Sequence, residues 1–586
     1  MPGPQQAGDP LSLITSAAER LAASAAANSS NASASSASSA SRATAPTTAG
    51  TVPPGIAEAV ARGRDAAIAA VAQLKGPFAF GHHDAASGRT LVAVDRFAMH
   101  TICHRVHGGE LRFAERADDL AGPLDALDPQ AVFDYLFFHC IPAPRTVFKD
   151  VQRLPAGHVA WFEGGQLSVR PYWTPTFEDR GRPGQTFEAL RDEFRATLEA
   201  AVKRDLDGGV PACFLSGGTD SSTVAGLIGK VAGRPAHTYS IGFAAQGYDE
   251  MAFARIAARH FGTVHHEYYV TPEDLVAGIA EVAQSYDQPF GNSSVLPATC
   301  CARRARDDGV TRLLAGDGGD ELFGGNSRYA KQRVFGWYQG VPAPLRRGLL
   351  EPLLEGTPLG TLPLLKKGKS YIEQAKVPMP GRDDLLNLVV YLGLADVLTP
   401  EFRARIDEGA PARLRRQVWD WADTRSEVNR SLAFDWRFTL ADSDLPKVRG
   451  ATALAGVDVR YPFLADELLA FSLKLPAEYK LKGLKLRWFF KEALRGFLPD
   501  EIITKKKQGF GLPFGVWANE HAGLKALARD SLSSLGTRGI VRPEFVATLV
   551  DKKLPEHPGY YGVMVWVLMM LEQWLRRVRP HGGALF

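Results

Sequence analysis

Phe214-Leu215-Ser216-Gly217-Gly218-Thr219-Asp220-Ser221-Ser222 is the stretch whose reading decides the fold. Ahead of it stands Val210-Pro211-Ala212-Cys213, a short apolar run suited to a buried strand. Behind it, Thr223-Val224-Ala225-Gly226-Leu227-Ile228 lays apolar side chains along one face of a helix. A strand, a tight glycine turn and a helix N-terminus together make an anion site. The glycines let the backbone approach closely, the first helical N–H groups point outward, and the helix dipole favours negative charge. Two hydroxyls and the Asp220 carboxylate crowd the same turn, and a carboxylate beside a phosphate site points to Mg²⁺.

Outward from this turn, the 586 residues suffice for two or three domains with full cores. A net charge of +4 over that length marks no nucleic-acid groove, and there is no dense Lys/Arg block. The five cysteines (Cys103, Cys140, Cys213, Cys300 and Cys301) show neither a zinc spacing nor a disulfide framework, which fits a reducing cytoplasm. The first residues show neither the basic region nor the continuous apolar core expected of a secretory signal. The apolar run Tyr560–Leu571 is too short to span a bilayer and reads as a buried C-terminal helix. Residues 1–55 form an Ala/Ser-rich segment with little apolar surface to bury. They are expected to be disordered, with a short helix near 11–27. A helical pattern covers Ile56–Leu74. Gly76–Gly81 and Thr90–Asp95 then read as paired strands, as do Leu154–Trp161 and Gln166–Trp173. A polar linker covers 174–186. From Phe187 helices alternate with apolar strands at 211–215, 236–243, 264–270 and 311–316, the pattern of a parallel sheet covered on both faces. Beyond about 330 strand signals fade into a helical extension.

No Gly-Lys-Ser/Thr closes the glycine turn, so it is not a Walker A sequence. Ser-Gly-Gly-x-Asp-Ser resembles instead the pyrophosphate loop of ATP pyrophosphatases, which split ATP between its α and β phosphates. An ordinary glycine turn with a Ser or Asp cap has the same local composition, and other segments decide between the two readings. Thr238–Phe243, Ala315-Gly316-Asp317-Gly318-Gly319-Asp320-Glu321-Leu322-Phe323-Gly324-Gly325, Val459-Arg460-Tyr461-Pro462-Phe463-Leu464 and Lys505-Lys506-Lys507-Gln508-Gly509-Phe510 follow in order. Together they resemble the synthetase half of asparagine synthetase, a family to which the chain is similar from about residue 74 to the C-terminus. Gly76–Phe80, Asp95-Arg96-Phe97 and Ile141–Thr146 resemble the later segments of that family's glutaminase domain. The resemblance implies an α/β protein. The remnant of an N-terminal-nucleophile glutaminase β-sheet domain covers 56–173. A parallel-sheet ATP-pyrophosphatase domain, adenine nucleotide α-hydrolase-like and with a helical C-terminal extension, covers 187–586.

What the resemblance implies chemically is adenylation of a carboxylate, aspartate or a related acid, with release of pyrophosphate and amide formation with ammonia. It implies ATP and Mg²⁺ as cofactors. Ser216, Gly217, Gly218, Ser221 and Ser222 would hold the pyrophosphate. Asp220 and Asp320 would ligate Mg²⁺ from two loops at the carboxyl edge of the sheet. Leu215, Ile241 and the Ala315-Gly316 backbone would contact the adenosine. Asp317 stands where the family has an acid that acts around the acyl-adenylate, and Lys507 where a lysine meets the α-phosphate; Lys505 and Lys506 read as surface lysines. Loop-capping carboxylates and a solvated lysine run are the plainer readings of these residues. In the family the glutaminase domain opens on a cysteine nucleophile exposed by removal of the initiator Met. Here Pro2 follows Met1, and the glutamine-holding segments are absent. The expectation is ammonia-dependent synthesis without glutamine hydrolysis.

One departure bears on the acceptor. The family's Lys-Val-Asp-Arg-Ala-Ser-Met appears as Lys447-Val448-Arg449-Gly450-Ala451-Thr452-Ala453. This leaves three alternatives to asparagine biosynthesis: amidation of a uronic acid or peptide, intramolecular amide or lactam closure, and a scaffold without chemistry. The acid at 317 argues against the β-lactam version, and the intact loop residues argue against the scaffold. The expected partners are a small-molecule carboxylate and ammonia, with no nucleic acid and no membrane; the sequence is equally compatible with a homodimer and with a separate glutaminase as ammonia source. The expected compartment is the cytoplasm.

Overall fold

The computed structural model describes residues 50–122, 125–346, 371–506 and 511–586. Most of the Ala/Ser-rich segment, its expected helix and the Lys507-Gln508-Gly509-Phe510 string lie outside them.

In the front part, alternation of apolar and polar residues builds two antiparallel sheets. β1 (Ala79–Asp84), β2 (Arg89–Val94), β6 (His158–Glu163) and β7 (Gln166–Pro171) form one in that spatial order, and β4 (Glu110–Ala114), β3 (Cys103–His107) and β5 (Gln152–Arg153) the other. The pleat sends alternate residues to opposite faces. Leu91 and Ala93 pack with Ile56, Val60, Ala67 and Val71 of the helices Ile56–Arg62 and Arg64–Ala72. Val92 and Val94 pack with Leu111 and Phe113 of the second sheet. The single helix expected over 56–74 is two, because Gly63 has a φ of 122° that a continuing helix does not accept. Val52 already packs against the helical face.

The parallel sheet runs β10 (Val264–Val270), β9 (His237–Phe243), β8 (Ala212–Phe214), β11 (Arg312–Leu314) and β12 (Asp458–Arg460). Every pairing in it is parallel. The chain lays down β8, β9 and β10 outward in one direction, then returns to place β11 on the other side of β8. Helices Phe187–Asp205, Thr219–Ala232 and Met251–Phe261 share one buried cluster with Cys213 and Leu314. Helix Val295–Asp307 covers the other face through Cys301, Ala302 and Ala305. The short edge strand β12 and the hairpin β13 (Leu481–Lys482) with β14 (Lys485–Leu486) correct the expectation that strands end near residue 330.

The two parts share cores. Half-buried Arg96 reaches Asp466 at 2.8 Å, and buried Arg153 reaches Asp287 at 2.8 Å. The 174–186 segment is docked rather than free: Phe177 is buried against Trp436, and Asp179 accepts from the Arg425 N–H and the Asn429 amide. The C-terminal helix Pro558–Val578 lies in one buried cluster with Phe133, Tyr135 and Phe148 of the front part. The Tyr135 hydroxyl donates to the Val567 carbonyl at 2.8 Å, and the Trp574 indole N–H to the Tyr286 carbonyl at 3.0 Å. Glu572 of this helix, fully buried, is paired with Arg538 at 3.1 Å. Among the described residues no helix is long and apolar enough to cross a membrane.

Lys480 is fully buried, donates to Asn429 Oδ1 at 2.9 Å and sits 4.7 Å from the Phe177 ring centroid. Burial pulls its pKa down to about 7, with Asp179 opposing. The folded protein therefore binds fewer protons than the unfolded chain above pH 7, so stability rises with pH from there toward the ordinary lysine value. Relative to Lys480→Met, the unfolding free energy of the natural protein is expected to climb between pH 7 and 9, by at most roughly 1.4 kcal/mol per pH unit. Parallel denaturant titrations of the two proteins check this; a difference that does not change with pH contradicts a titrating Lys480.

Candidate functional site

A cleft of about 1120 Å³ opens at the carboxyl ends of β8 and β11, where the strand order reverses. Ligands of open α/β sheets bind at such a switch point. Gly217 holds a φ of 70°, and a Cβ there would collide with the Phe253–Ala254 backbone, so only glycine lets the first loop lie on that helix. Gly218 opens the helix Thr219–Ala232 with no side-chain cap. Its first N–H groups thus face the cleft without a built-in acceptor from the cap residue. The Ser216 and Ser221 hydroxyls meet at 3.0 Å, and Ser221 Oγ also accepts from the Ser216 N–H at 3.1 Å. Leu215, Ser216, Gly218, Asp220, Ser221, Ile241, Gly316, Asp317 and Asp320 line the cleft. Gly217 and Ala315 lie behind it as backbone supports. Ser222 is fully buried with no partner for its hydroxyl, so its side chain sits beneath the loop rather than on the lining.

The second loop is pressed against the first. A Cβ on Gly316 would stand 2.9 Å from the Ser221 nitrogen, and one on Gly319 would overlap the Asp220 carboxylate. This closeness places Asp220 and Asp320 on one cation, the guanidinium of Arg487. Its Nη1 donates to Asp320 Oδ1 at 2.7 Å and to Asp220 Oδ2 and Thr219 Oγ1 at 2.9 Å each; its Nη2 donates to Asp220 Oδ1. Burial works against its charge, but the two carboxylates outweigh burial and raise its pKa. The sequence offered no sign of this residue, which lies in an aromatic stretch that reads as core.

Asp317 follows β11 and faces Lys447, whose ammonium lies 3.6 Å from Asp317 and 3.0 Å from Asp444. Burial raises the Asp317 pKa above the usual carboxylate range, with Lys447 opposing and the Asp444 charge adding to the rise. Burial alone would lower the Lys447 pKa, but Asp444 and then Asp317 outweigh it and keep the ammonium charged. Lys447 comes from the helix Leu445–Ala455. On the same helix Arg449 turns to the front part, donating to the Met99 carbonyl at 2.9 Å and Thr101 Oγ1 at 3.2 Å. Gly450 is filled by the Tyr286 ring, which a Cβ there would strike.

Lys485, Lys491, Arg495, Lys505 and Lys506 give the cleft a cationic rim. Lys506 is exposed at this rim, as a surface lysine, whereas the Lys505 side chain is largely buried and pairs with Glu250 at 2.8 Å. Burial lowers the Lys491 pKa, and the nearby Arg487 charge lowers it further. Lys507 lies outside the described residues.

The asparagine synthase family model matches residues 193–576, and the glutamine amidotransferase domain model matches residues 61–173. A putative asparagine synthetase [glutamine-hydrolyzing] of Mycobacterium tuberculosis is 28% identical over 462 residues, 76% of this chain and 68% of that protein. Asparagine synthetase [glutamine-hydrolyzing] 1 of Bacillus subtilis is 23% identical over 515 residues, 86% of this chain and 78% of its own. A putative asparagine synthetase [glutamine-hydrolyzing] 2 of Methanocaldococcus jannaschii is 32% identical over 283 residues, 47% of this chain and 54% of its own. Because the first of these matches spans well over half of the sequence and carries both loops of the cleft, the chain belongs to the asparagine synthase family.

Proposed function

We propose that the protein adenylates a carboxylate with ATP, releases pyrophosphate and forms an amide with ammonia. The observation that carries this reading is the convergence, at the strand-order switch, of an uncapped helix N-terminus and two carboxylates from different loops, inside a cationic rim. Ser216, Gly218, Ser221 and the helix N–H groups cradle the leaving pyrophosphate, with Gly217 and Ser222 supporting the turn from behind. Leu215, Ile241 and Gly316, backed by Ala315, receive the adenosine, and Lys507 meets the α-phosphate beside Lys505 and Lys506. Asp220 and Asp320 fit Mg²⁺, which takes one or two carboxylates and completes its shell with phosphate oxygens and water. That the pair already converges on a positive group supports the fit. When bound there, the ion neutralises charge on the departing phosphates.

In the first step a carboxylate oxygen bonds to the α-phosphorus and pyrophosphate leaves. In the second, ammonia bonds to the acyl carbon, AMP leaves, and Asp317 takes the surplus proton from nitrogen. Lys447 holds Asp317 in place and offers its charge to an acceptor carboxylate. One observation favours an acceptor other than aspartate: at the position where the family carries an acid, Arg449 points away from the cleft. Ammonia as the nitrogen source rests on the thiols. Burial raises the pKa of all five cysteines, Cys300 to about 11 and Cys103 to about 12, so none is an activated nucleophile.

ATP–pyrophosphate exchange screened over aspartate, uronic acids and carboxyl-bearing peptides identifies the acceptor. Asp220→Asn should cut that exchange by at least about a hundredfold, the scale of losing one charge-stabilising group; undiminished exchange sinks the nucleotide assignment. Asp317→Asn separates the half-reactions. Exchange should persist while amide formation falls by roughly two to four orders of magnitude, as for loss of a general base, and the acidic limb of the amide-formation profile should vanish. Parallel loss of both half-reactions rejects that role. For the nitrogen source, purified protein given ammonium chloride should make amide, and glutamine should yield no glutamate. Glutamate release that keeps pace with amide formation overturns the ammonia reading.

A further inference from the structure

Arg487 does more than neutralise two acids. Its backbone is left-handed, with a φ of 54°, and it starts the helix Trp488–Ala493 while donating its N–H to the Gly324 carbonyl at 3.2 Å. Its guanidinium lies 3.9 Å from the centroid of the Phe490 ring, and its side chain is 6% exposed. Ring, backbone turn and carboxylates fix it in the cleft floor, which it helps to line.

The hydrogen-bond account is uneven. Nη1 carries two hydrogens yet faces three acceptors: Asp320 Oδ1, Asp220 Oδ2 and Thr219 Oγ1. Nε carries one hydrogen and is buried with no partner. A buried N–H without an acceptor is costly, and a guanidinium with one crowded and one idle nitrogen has not reached its best set of partners. The missing acceptor is an oxygen anion, and the surplus acceptors are the carboxylates that a divalent cation would take over.

Building on the nucleotide reading above, we propose that Arg487 is a resident counter-ion that occupies the cation position between Asp220 and Asp320 in the nucleotide-free protein, so that the metal enters only together with ATP. A bare divalent ion must displace the guanidinium and then sit against its charge with nothing added to offset it. With ATP the phosphates supply both the offsetting negative charge and the oxygen acceptors for Nε and the released Nη1. Arg487 thereby makes metal affinity conditional on nucleotide and is a positioning residue for the carboxylate pair.

Mn²⁺ binding followed by electron paramagnetic resonance tests this without any turnover. The natural protein should bind Mn²⁺ at least tenfold more weakly without nucleotide than with a non-hydrolysable ATP analogue. Arg487→Gln should bind bare Mn²⁺ at least tenfold more tightly than the natural protein and lose most of that nucleotide dependence. Arg487→Lys keeps the charge, so its bare-metal affinity should stay within about threefold of the natural protein. Equal rises in Arg487→Lys and Arg487→Gln assign the effect to packing and overturn the counter-ion role. Tight Mn²⁺ binding by the natural protein without nucleotide overturns it as well, whatever the variants do. Binding of the ATP analogue by calorimetry in the presence of Mg²⁺ separates the two readings. No binding there removes the nucleotide site and this inference with it, whereas intact binding with nucleotide-independent Mn²⁺ affinity removes this inference alone.

Discussion

Two carboxylates held against each other are the constraint on which this site is built. Asp220 and Asp320 each place an oxygen within 2.9 Å of one Arg487 nitrogen, so those oxygens are no more than about 5.6 Å apart. At an effective dielectric near 20, two unit charges at that distance repel by about 3 kcal/mol. The fold accepts this because glycines at 316, 319 and 325 remove the side chains that would otherwise keep the loops apart, and because a cation sits between the acids. Everything else in the cleft is arranged around that contact. The helix dipole adds positive potential from below, and the rim of lysines and Arg495 adds it from above.

The position of this contact follows from topology. Strands β8 and β11 are neighbours in the sheet but lie about a hundred residues apart in the chain, with β9, β10 and four helices between them. The loops that follow them meet at this reversal of strand order and line the cleft together. The third contribution arrives from still farther along: Lys447 from one helix, Arg487 from the start of another. Each is anchored at a helix that packs on the shared core, so the charges of the cleft are held by rigid elements rather than by flexible loops.

Local sequence made some of this visible and left the rest dark. The glycine loop at 216–218 and the strands before it were legible because turn chemistry and apolar runs are local signals. Asp317 and Asp320 were legible because paired glycines flank them. The strand β12 was not, since three residues of Asp-Val-Arg between a helix and a proline carry no period and gain their meaning only from pairing with β11. Arg487 was hidden for a similar reason: Leu486-Arg487-Trp488-Phe489-Phe490 reads as a buried helix, and a left-handed arginine leaves no glycine or asparagine to mark it. Lys505 and Lys506 looked solvated as a run, whereas Glu250, brought in from the end of the β9 loop, draws Lys505 inward. Arg449 looked like a damaged substrate contact, and it is a strut to the Met99 carbonyl.

The C-terminal helix has a consequence for how the chain is made. Its residues Met564–Leu575 complete the same buried cluster that holds Phe133, Tyr135 and Phe148, which emerge from the ribosome more than four hundred residues earlier. Domains that close on themselves can fold as they are synthesised, N-terminal part first. Here the helix Pro129–Phe138 waits with an uncovered apolar face until the last helix is released, so the nascent chain is exposed to aggregation through most of translation. A premature stop within the final thirty or so residues therefore strips the cover from the front of the protein as well as from its end.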